Sequence, residues 1–430
     1  MGEKNSKRKK NKRTSLRYRF VLPFCITLLL VTAVGIGGMA AYRWIMEPSG
    51  SMTDDQSRPT IEIVEGRNAE EEEETRIEEQ MEEEPVYNGK YADVLNDPAY
   101  MAEHNIYTKD AASPDEVTLV FAGDILFDEH YAVMARMMQS GGDISSGIAD
   151  DLIREMQSAD IMMLNNEFPY SDRGEPLEDK QFTFRAKTSA VSYLNDLGVD
   201  IVSLANNHAY DYGEAAFNDT MTTLEDAGIV YVGAGRNLQE ARRPVYYIIN
   251  DVKIAIVSAT QIERLDNPDT KGATDSSPGV FRCWNGDNLL ETVRDARENS
   301  DFVIAYLHWG TENVDTIDWA QEKQAAEVAE AGADLIIGDH PHCLQQISVV
   351  KGVPVIYSLG NFWFNSKTLD TGMIKVTLNE SGLQSCRFVA CKQSGCRTEL
   401  LHGEEKDRVL EFMRSISGGI HIDGDGYITW

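Results

Sequence analysis

The sequence predicts an α/β fold, and two observations carry this prediction. From residue 115 onward, short apolar runs rich in valine and isoleucine alternate with longer helical stretches. Short continuous apolar runs are typical of strands buried on both faces, and their alternation with helices indicates an α/β layout. Apolar residues make up 42% of the 430 residues, which is enough to fill a large core.

The predicted elements follow one another between residues 117 and 357. We predict seven strands, at residues 117–122, 161–164, 201–204, 253–257, 302–307, 335–337 and 353–357. We predict helices at residues 146–158, 189–197, 214–227, 287–298 and 317–331. Each predicted helix therefore connects two predicted strands.

An apolar segment near the start of the chain predicts a membrane anchor. Residues 20–42 are uncharged and almost wholly apolar, and nine Lys or Arg residues precede them. A helix of that length spans a bilayer, and the positive flank indicates a cytoplasmic N-terminus. We predict a cytoplasmic basic tail at residues 1–19, a transmembrane anchor at 20–42 and an extracytoplasmic remainder, in a single-pass protein of the cell membrane. The alternative is a cleaved signal peptide, with a cleavage site at residues 38–40.

The rest of the chain divides by composition. Residues 43–112 are predicted to be an acidic linker and lead-in, because a glutamate-rich stretch buries little and repels itself. Residues 113–400 form the predicted α/β domain, and residues 401–430 a C-terminal helix and tail. Cys386, Cys391 and Cys396 are clustered, so one disulfide or free buried thiols are both open alternatives.

The charge limits the kinds of partner. A formal net charge of -30 excludes nucleic acid as a partner of the whole chain, because phosphate binding needs a basic surface. A bound divalent metal would reverse the field locally, so the chain could still handle a polyanion at one site.

Polar residues follow six of the predicted strands directly at their carboxyl ends. The clusters lie at residues 123–124, 165–167, 205–208, 308–312, 338–342 and 358–362. Ligands of open α/β sheets bind at that edge. One such residue alone could be an ordinary turn residue, but six clusters together predict a shared site.

The residue types in the clusters suit a transition metal. Imidazoles, carboxylates and an amide form a mixed nitrogen and oxygen donor set, which fits Mn, Fe or Zn better than calcium. The set comprises Asp124, Glu167, Asn207, His208, His308, His340 and His342. Two divalent metal ions about 3.5–4 Å apart would activate a water molecule and stabilise a developing oxyanion.

The order of these motifs indicates a family. The motifs are Phe121-Ala-Gly-Asp124, Asn166-Glu167, Ala205-Asn-Asn-His208, His308-Trp-Gly-Thr-Glu312, His340-Pro-His342 and Tyr357-Ser-Leu-Gly-Asn-Phe362. Over residues 115–395 the chain resembles the CapA family, the bacterial capsule-synthesis proteins associated with poly-gamma-glutamate. That family is similar to calcineurin-like metallophosphoesterases. The resemblance implies a metallophosphoesterase-like four-layer sandwich of two mixed sheets flanked by helices, with a di-metal centre at the strand ends.

The resemblance also implies roles for individual residues. Metal ligands are implied at Asp124, Glu167, Asn207, His308, His340 and His342. His208 would stabilise the transition state or protonate the leaving group. Glu312 is an additional acid in the cluster, a candidate ligand or general base.

The first motif departs from the metallophosphoesterase pattern. Asp-x-His is expected there, but Asp124 is followed by Ile125 and Leu126. One histidine ligand is therefore missing, and Asp128 or His130 is the expected substitute.

Three hypotheses for the function follow. The first is a metal-dependent hydrolase, phosphoesterase-like, that acts on a capsule or cell-envelope polymer similar to poly-gamma-glutamate or on its phosphorylated precursor. The second is a non-catalytic accessory subunit that binds, exports or anchors the polymer. The third is a metal-free site used only for packing. The expected partners are the anionic polymer, the membrane and membrane-embedded synthase subunits, and residues 262–285 could form a lid or a plain surface loop.

Overall fold

The computed structural model describes residues 87–262 and 270–430. These residues belong to one compact unit, Glu84–Trp430. The predicted cytoplasmic tail, the transmembrane anchor and most of the acidic linker lie outside the described residues. Within the described part of the chain, no helix combines the length and the apolar character needed to cross a bilayer.

The described residues form nineteen strands, several of them only two or three residues long. In chain order they are β1 (Ile106–Thr108), β2 (Val117–Ile125), β3 (Ile161–Asn166), β4 (Ile201–Ser203), β5 (Val230–Val232), β6 (Ala234–Gly235), β7 (Val245–Ile249), β8 (Val252–Thr260), β9 (Gly279–Val280), β10 (Phe302–His308), β11 (Leu335–Asp339), β12 (Ile347–Val350), β13 (Val353–Ile356), β14 (Asn361–Trp363), β15 (Leu369–Asn379), β16 (Gly382–Ser394), β17 (Arg397–Leu400), β18 (His421–Ile422) and β19 (Ile428–Thr429).

Helices connect many of these strands. The described α-helices are Ala92–Leu95, Pro98–Glu103, Ala132–Gln139, Asp150–Gln157, Ser192–Asp196, Gly213–Asp226, Leu238–Arg242, Asp287–Glu298, Trp319–Ala331 and Gly403–Ile416, and Ile144–Ser146 and Thr188–Val191 are 3-10 turns. The helix Trp319–Ala331 shows how the sequence sets such bounds. Asp318 caps its first turn in a reciprocal pair with Gln321, and Gly332 ends it at a φ of 118°.

Two mixed sheets make up the domain. The first has the order β1-β7-β8-β10-β11-β13-β12, and the second has the order β17-β16-β15-β2-β3-β4-β5 with β14 paired to β2. The inner strands run parallel, whereas β7–β8 and β12–β13 in one sheet and the β2–β15–β16–β17 ladder in the other are antiparallel. The prediction of two mixed sheets flanked by helices is confirmed.

Three hydrophobic clusters show how the layers stack. One joins the inner faces of the two sheets, with Phe121 of β2 and Ile304 of β10 among its members. Alternate residues of the same strands face outward, so Val120 belongs to a second cluster with the helix residue Leu152, and Val303 belongs to a third with the helix residue Val293. Because side chains alternate along a strand, each sheet buries both faces and the layers run helix, sheet, sheet, helix.

The antiparallel half of the second sheet was not predicted. Strands β15 and β16 pair over eleven positions, beginning at Leu369 with Gln393. Burial alternates toward the end of β15, where partly exposed Thr377 separates buried Val376 and Leu378. An alternating pattern of this kind lacks the continuous apolar run that marked the other strands.

Candidate metal centre

Strand pairing brings polar residues of different motifs side by side. In the second sheet, Asp124 of β2 is the Cα partner of Asn165 in β3 and of Asn361 in β14. In the first sheet, His308 at the end of β10 is paired with Asp339 at the end of β11. Because these pairs run parallel, their carboxyl ends lie at the same edge of each sheet.

Side chains from the two sheets meet across this edge. His342, which follows β11, lies with Nδ1 2.9 Å from Oδ2 of Asp124. Asn207, which follows β4, lies with Oδ1 2.8 Å from Nε2 of His308. Each contact joins one sheet to the other, so the site lies between the two sheets.

The position of Asp124 is fixed where two chain segments approach each other closely. The backbone N–H of Asp124 donates to the carbonyl oxygen of Gly360 at 3.2 Å. A Cβ atom at residue 123 would collide with that same oxygen. The segment 358–362 therefore requires glycine at position 123, which explains why Gly123 precedes the aspartate.

Asp124 is fully buried, and both of its carboxylate oxygens have partners. Nδ2 of Asn165 donates to Oδ1 at 2.8 Å, and Oδ2 faces His342. Burial alone would raise the pKa of Asp124, but the hydrogen bond and charge of His342 lower it below its ordinary value. Burial alone would likewise lower the pKa of His342, but the hydrogen bond and charge of Asp124 raise it. These opposite shifts favour an ion pair between Asp124, which is fully buried, and His342, whose side chain is 14% exposed.

Glu167 is also fully buried, but one of its oxygens has no partner. Among the described residues, nothing hydrogen-bonds Oε1, which lies 3.7 Å from Nε2 of His308 and 3.9 Å from Nε2 of His342. Burial raises the pKa of Glu167 well above its ordinary value, and the charges of Asp124 and Asp339 raise it further. The carboxylate form therefore needs a positive charge beside it.

Two histidines of the cluster are held neutral. Burial lowers the pKa of His308 to about 3 and lowers that of His340 well below its ordinary value. Nδ1 of His340 lies 3.0 Å from Nε2 of His308. A neutral imidazole offers one nitrogen lone pair, the form in which histidine binds metals.

The backbone around the last two histidines is strained. His340 has a φ of 92° and His342 a φ of 56°, and neither residue is glycine. Such conformations cost on the order of 1–3 kcal/mol each and concentrate at functional sites. The strain lets both imidazoles of His340-Pro-His342 reach the same cluster.

Four overlapping groups of side chains could each hold a metal ion, because their ligand atoms lie within 4.8 Å of one another. The groups are Glu167, His308 and His340; Glu312, His340 and His342; Asp124, Glu167 and His342; and Asp124, His308 and Asp339. Two buried carboxylate oxygens in these groups, Oε1 of Glu167 and Oδ2 of Asp339, have no hydrogen-bond partner among the described residues. Since an unpaired buried carboxylate is costly, both the donor set and the unpartnered oxygens fit divalent cations.

His208 lies beside this cluster and is held by a buried carboxylate. Its Nδ1 is 2.7 Å from Oδ2 of Asp211. Lys180 donates from Nζ to Oδ1 of Asp211 at 2.5 Å and to the backbone oxygen of Asn207 at 2.6 Å. Burial lowers the pKa of His208, against the charge of Asp211. The imidazole is oriented through Nδ1, which leaves Nε2 for other contacts.

A cavity of about 230 Å³ adjoins the cluster. His208, Glu312 and His342 line it. The remaining wall is largely aromatic, with Tyr131, Phe182, Phe184 and Phe364, together with Asn313, Asn361, Asn365 and Lys367. A ligand in this cavity would therefore touch three of the predicted site residues.

The structure brings all eight predicted site residues to one place. Six of them contribute to the four ligand groups, namely Asp124, Glu167, His308, Glu312, His340 and His342. Asn207 joins them through its contact with His308, and His208 lines the cavity. The roles of these residues remain predictions.

Asp128 and His130 do not replace the missing histidine. The Asp128 carboxylate accepts from the backbone N–H groups of His130 and Arg185. The side chain of His130 is 88% exposed and lies against Asp128. Neither residue belongs to a ligand group among the described residues. The expected substitution is therefore wrong, because both carboxylate oxygens of Asp128 accept backbone N–H groups and the side chain of His130 is exposed to solvent.

Three side chains of the site were missed. Asn165 donates to Asp124, and Asn206 donates to Oδ1 of Asn165 at 2.9 Å. Asp339 faces His308 with Oδ1 2.9 Å from Nδ1. All three lie inside the polar clusters at the strand ends, and that position was the available signal.

Other expectations concern residues away from the cluster. Among the described residues the five cysteines are free, so of the two open alternatives for Cys386, Cys391 and Cys396, free thiols hold and a disulfide does not. Part of the expected lid, residues 263–269, lies outside the described residues. None of the described residues in 270–285 lines the cavity.

Sequence comparison gives the class of protein that carries this fold and site. Residues 118–366 match the family of bacterial capsule synthesis proteins PGA_cap. The match covers more than half of the chain, and the chain belongs to this family.

Individual relatives agree with the family. The chain is 30% identical to the capsule biosynthesis protein CapA of Bacillus anthracis, over 69% of this chain and 72% of that protein. It is 29% identical to the PGA biosynthesis protein CapA of Bacillus subtilis, over 63% of this chain and 70% of that protein. It is 27% identical to a Mycobacterium tuberculosis protein named "Probable polyglutamine synthesis accessory protein", over 49% of this chain and 57% of that protein.

Likeness to solved structures is distant. A 5'-nucleotidase from Candida albicans is 10% identical and matches with a TM-score of 0.35, over 65% of this chain and 53% of that one. Similarity at this level is too low to indicate a shared activity.

Proposed function

We propose that this protein is a membrane-anchored, metal-dependent hydrolase of capsule biosynthesis. Its substrate would be an anionic envelope polymer similar to poly-gamma-glutamate or a phosphorylated precursor of that polymer. The observation that carries the proposal is the buried cluster between the sheets, where Oε1 of Glu167 and Oδ2 of Asp339 have no hydrogen-bond partner among the described residues. Membership of a capsule synthesis family supports the choice of substrate.

The cluster residues would hold one or two divalent ions of Mn, Fe or Zn. Asp124, Glu167, Asn207, His308, His340 and His342 would supply the ligands, with Glu312 at the cavity side. Bound divalent cations supply a water of lowered pKa and positive charge for a developing oxyanion. In a protein of net charge -30, they would also let an anionic substrate approach.

The residues that line the cavity would act on the substrate directly. His208 is held through Nδ1 by Asp211, so Nε2 would donate a proton to a leaving group when the ring is in its imidazolium form. Glu312 is exposed and lines the same cavity, so its carboxylate can accept a proton from water. The aromatic wall would exclude water from the apolar part of the substrate.

The experiment that tests this function is a hydrolysis assay on the purified full-length chain in detergent. The substrates are a generic phosphomonoester, a generic phosphodiester and a gamma-linked glutamate polymer. We expect one of them to be hydrolysed, with loss of activity on chelation and recovery on adding Mn²⁺ or Zn²⁺. If the metal-loaded protein hydrolyses none of the three substrates, the proposal is contradicted.

His208→Gln and Asp160→Asn make a matched pair for this assay. His208→Gln removes the proposed acid while retaining a side chain of similar size, and we expect turnover to fall about 100-fold. Asp160 is buried at the opposite end of β3, where it accepts from Ala112 and Thr118 backbone N–H groups. Activity of Asp160→Asn should therefore stay close to that of the wild type.

A non-catalytic accessory subunit is the second candidate. The name of the Mycobacterium tuberculosis relative favours it, although the match covers only 49% of this chain. As an accessory subunit, the protein would bind, export or anchor the polymer beside membrane-embedded synthase subunits. Capsule production that survives Asp124→Asn and His208→Gln but fails without residues 1–42 would favour this function over the enzyme.

The anchor itself is a proposal from residues 1–42. We infer that residues 20–42 cross the membrane once, with residues 1–19 in the cytoplasm and the rest outside. Protease added to intact spheroplasts should then degrade the α/β domain. If that domain is protected from the protease, the proposed orientation is wrong.

A further inference from the structure

Asp339 is a buried carboxylate for which neither the motifs nor the family resemblance provides a role. It is the last residue of β11, is 0% exposed and is the Cα partner of His308. Its Oδ1 lies 2.9 Å from Nδ1 of His308, and its Oδ2 has no hydrogen-bond partner among the described residues.

The surroundings of His308 decide which of its nitrogens faces the cation site. Nε2 lies 2.8 Å from Oδ1 of Asn207, 3.0 Å from Nδ1 of His340 and 3.7 Å from Oε1 of Glu167. These three atoms all belong to proposed ligands. Nε2 is therefore the nitrogen that points into the donor set.

The other nitrogen of the same ring then carries the proton. A neutral imidazole has one N–H group and one lone pair, so an Nε2 lone pair implies a proton on Nδ1. With Nε2 bound to a cation, that proton would be donated to Oδ1 of Asp339, which lies 2.9 Å from Nδ1. A carboxylate that fixes a metal-binding histidine in this way is a common supporting contact.

The second oxygen of Asp339 remains to be explained. Asp339 forms a ligand group with Asp124 and His308, whose ligand atoms lie within 4.8 Å of one another. Asp124, Glu167 and Asp339 are all fully buried. Three ionised carboxylates in one buried cluster repel each other unless cations lie between them or protons neutralise them.

The first motif lacks one donor. Asp124 is followed by Ile125 and Leu126, so the sequence has no Asp-x-His, and neither Asp128 nor His130 joins a ligand group among the described residues. Asp339 shares a ligand group with Asp124, and its Oδ2 atom is a carboxyl oxygen without a hydrogen-bond partner among the described residues.

We propose that Asp339 is a metal ligand through Oδ2, which supplies the donor that the first motif lacks, while its Oδ1 positions His308. This inference rests on the proposed metal-dependent function. It adds to that function a ligand outside the sequence motifs of the resemblance, and it assigns separate roles to the two oxygens of one carboxylate.

Asp339→Asn separates the two roles. The asparagine side chain keeps an oxygen that can accept the Nδ1–H of His308 but loses the second carboxylate oxygen. If Oδ2 is a ligand, affinity for Zn²⁺ or Mn²⁺, measured by competition with a chromophoric chelator, falls by more than about 100-fold, which exceeds the roughly 10–100-fold loss for a residue that only supports a metal-binding histidine. If Asp339 only positions His308, the retained oxygen keeps that contact, the affinity falls by less than about 100-fold, and the inference is overturned.

Two controls distinguish a loss of metal binding from a loss of folding stability. Asp160→Asn makes the same change at a buried aspartate outside the cluster, and it should bind metal as the wild type does. Thermal unfolding of the metal-free proteins should show Asp339→Asn to be at least as stable as the wild type, because the change removes a buried charge.

A crystal structure of the zinc-loaded wild type tests the inference without any variant. It should show Oδ2 of Asp339 about 2.0–2.2 Å from a zinc ion. A zinc ion held by the other cluster residues, with Oδ2 outside its coordination shell, would overturn the inference and leave the proposed function standing. A wild-type protein that binds no metal would overturn both.

Discussion

His342 and Asp124 are 218 residues apart in the sequence, yet Nδ1 of His342 lies 2.9 Å from Oδ2 of Asp124. This contact joins the end of the first sheet to the end of the second. The hydrogen bond and charge of each side chain offset the effect of burial on the pKa of the other. The pair therefore links the packing of the two sheets to the charge of the candidate metal centre.

The first prediction concerns this pair. His342→Ala would leave Oδ2 of Asp124 without its partner and remove one proposed ligand. We expect the metal-free protein to lose about 3–5 kcal/mol in free energy of unfolding, the cost of breaking a buried ion pair, and its metal content to fall. Denaturant titration and elemental analysis measure the two effects. His402, which is 73% exposed, is the control, and an equal loss in His402→Ala would contradict the prediction.

The second prediction concerns pH. Burial and the charges of Asp124 and Asp339 raise the folded-state pKa of Glu167, so without metal the folded protein retains a proton that the unfolded chain releases. Stability contributed by Glu167 is therefore present below the ordinary glutamate pKa and is lost as the pH rises toward the folded pKa.

Glu167→Gln imitates the protonated form at every pH, so comparison with the wild type isolates this one group. Without metal, the melting temperature of Glu167→Gln relative to that of the wild type should increase as the pH rises from about 5 to 8. With saturating Zn²⁺ the order should reverse, because the negatively charged carboxylate binds the cation more tightly than the neutral amide. If the difference in melting temperature between the two metal-free proteins does not change with pH, the prediction that the pKa of Glu167 is raised is contradicted.

The third prediction concerns Lys180, whose side chain is 8% exposed and bonds both Asp211 and the backbone of Asn207. Lys180→Met keeps most of the volume but removes the charge. We expect turnover to fall about 10–100-fold, since the support of His208 and Asn207 is lost. Lys187→Met is the control, because Lys187 is 58% exposed and its pair with Glu129 contributes little. Unchanged kinetics in Lys180→Met would argue against this positioning role.

The fourth prediction concerns Gly123. Gly123→Ala would place a Cβ atom against the carbonyl oxygen of Gly360, and that oxygen also accepts from Asp124. We expect a loss of about 1–3 kcal/mol in free energy of unfolding and weaker metal binding. Gly418→Ala meets open space and serves as the control. A stable Gly123→Ala variant with normal metal affinity would show that the close approach of the two segments is not required.

Much of the fold follows from local pattern. The predicted helix 287–298 has the bounds of the observed helix Asp287–Glu298, and the parallel strands were found because they are buried on both faces. Strands β15 and β16 were missed because an antiparallel ladder with one partly exposed face has an alternating pattern. Their place beside β2 depends on long-range pairing.

The residues of the candidate site were likewise predicted only in part. His308, His340 and His342 were found because histidines at strand ends are rare and chemically specific. Asp339 was missed because the motif at this strand end comprises only His340-Pro-His342, and the burial of Asp339 depends on the pairing of β10 with β11. The contact between Lys180 and Asp211 spans 31 residues and arises only in the folded chain.

The measurement that most directly tests the account is the divalent metal content of the purified full-length protein. Isothermal titration of the chelator-treated protein with Zn²⁺ or Mn²⁺ should give at least one bound ion per chain. The heat should be strongly reduced in Asp124→Asn and unchanged in Asp160→Asn. A chelated, folded wild-type protein that takes up neither ion would contradict the account and leave the cluster between the two sheets as a packing feature.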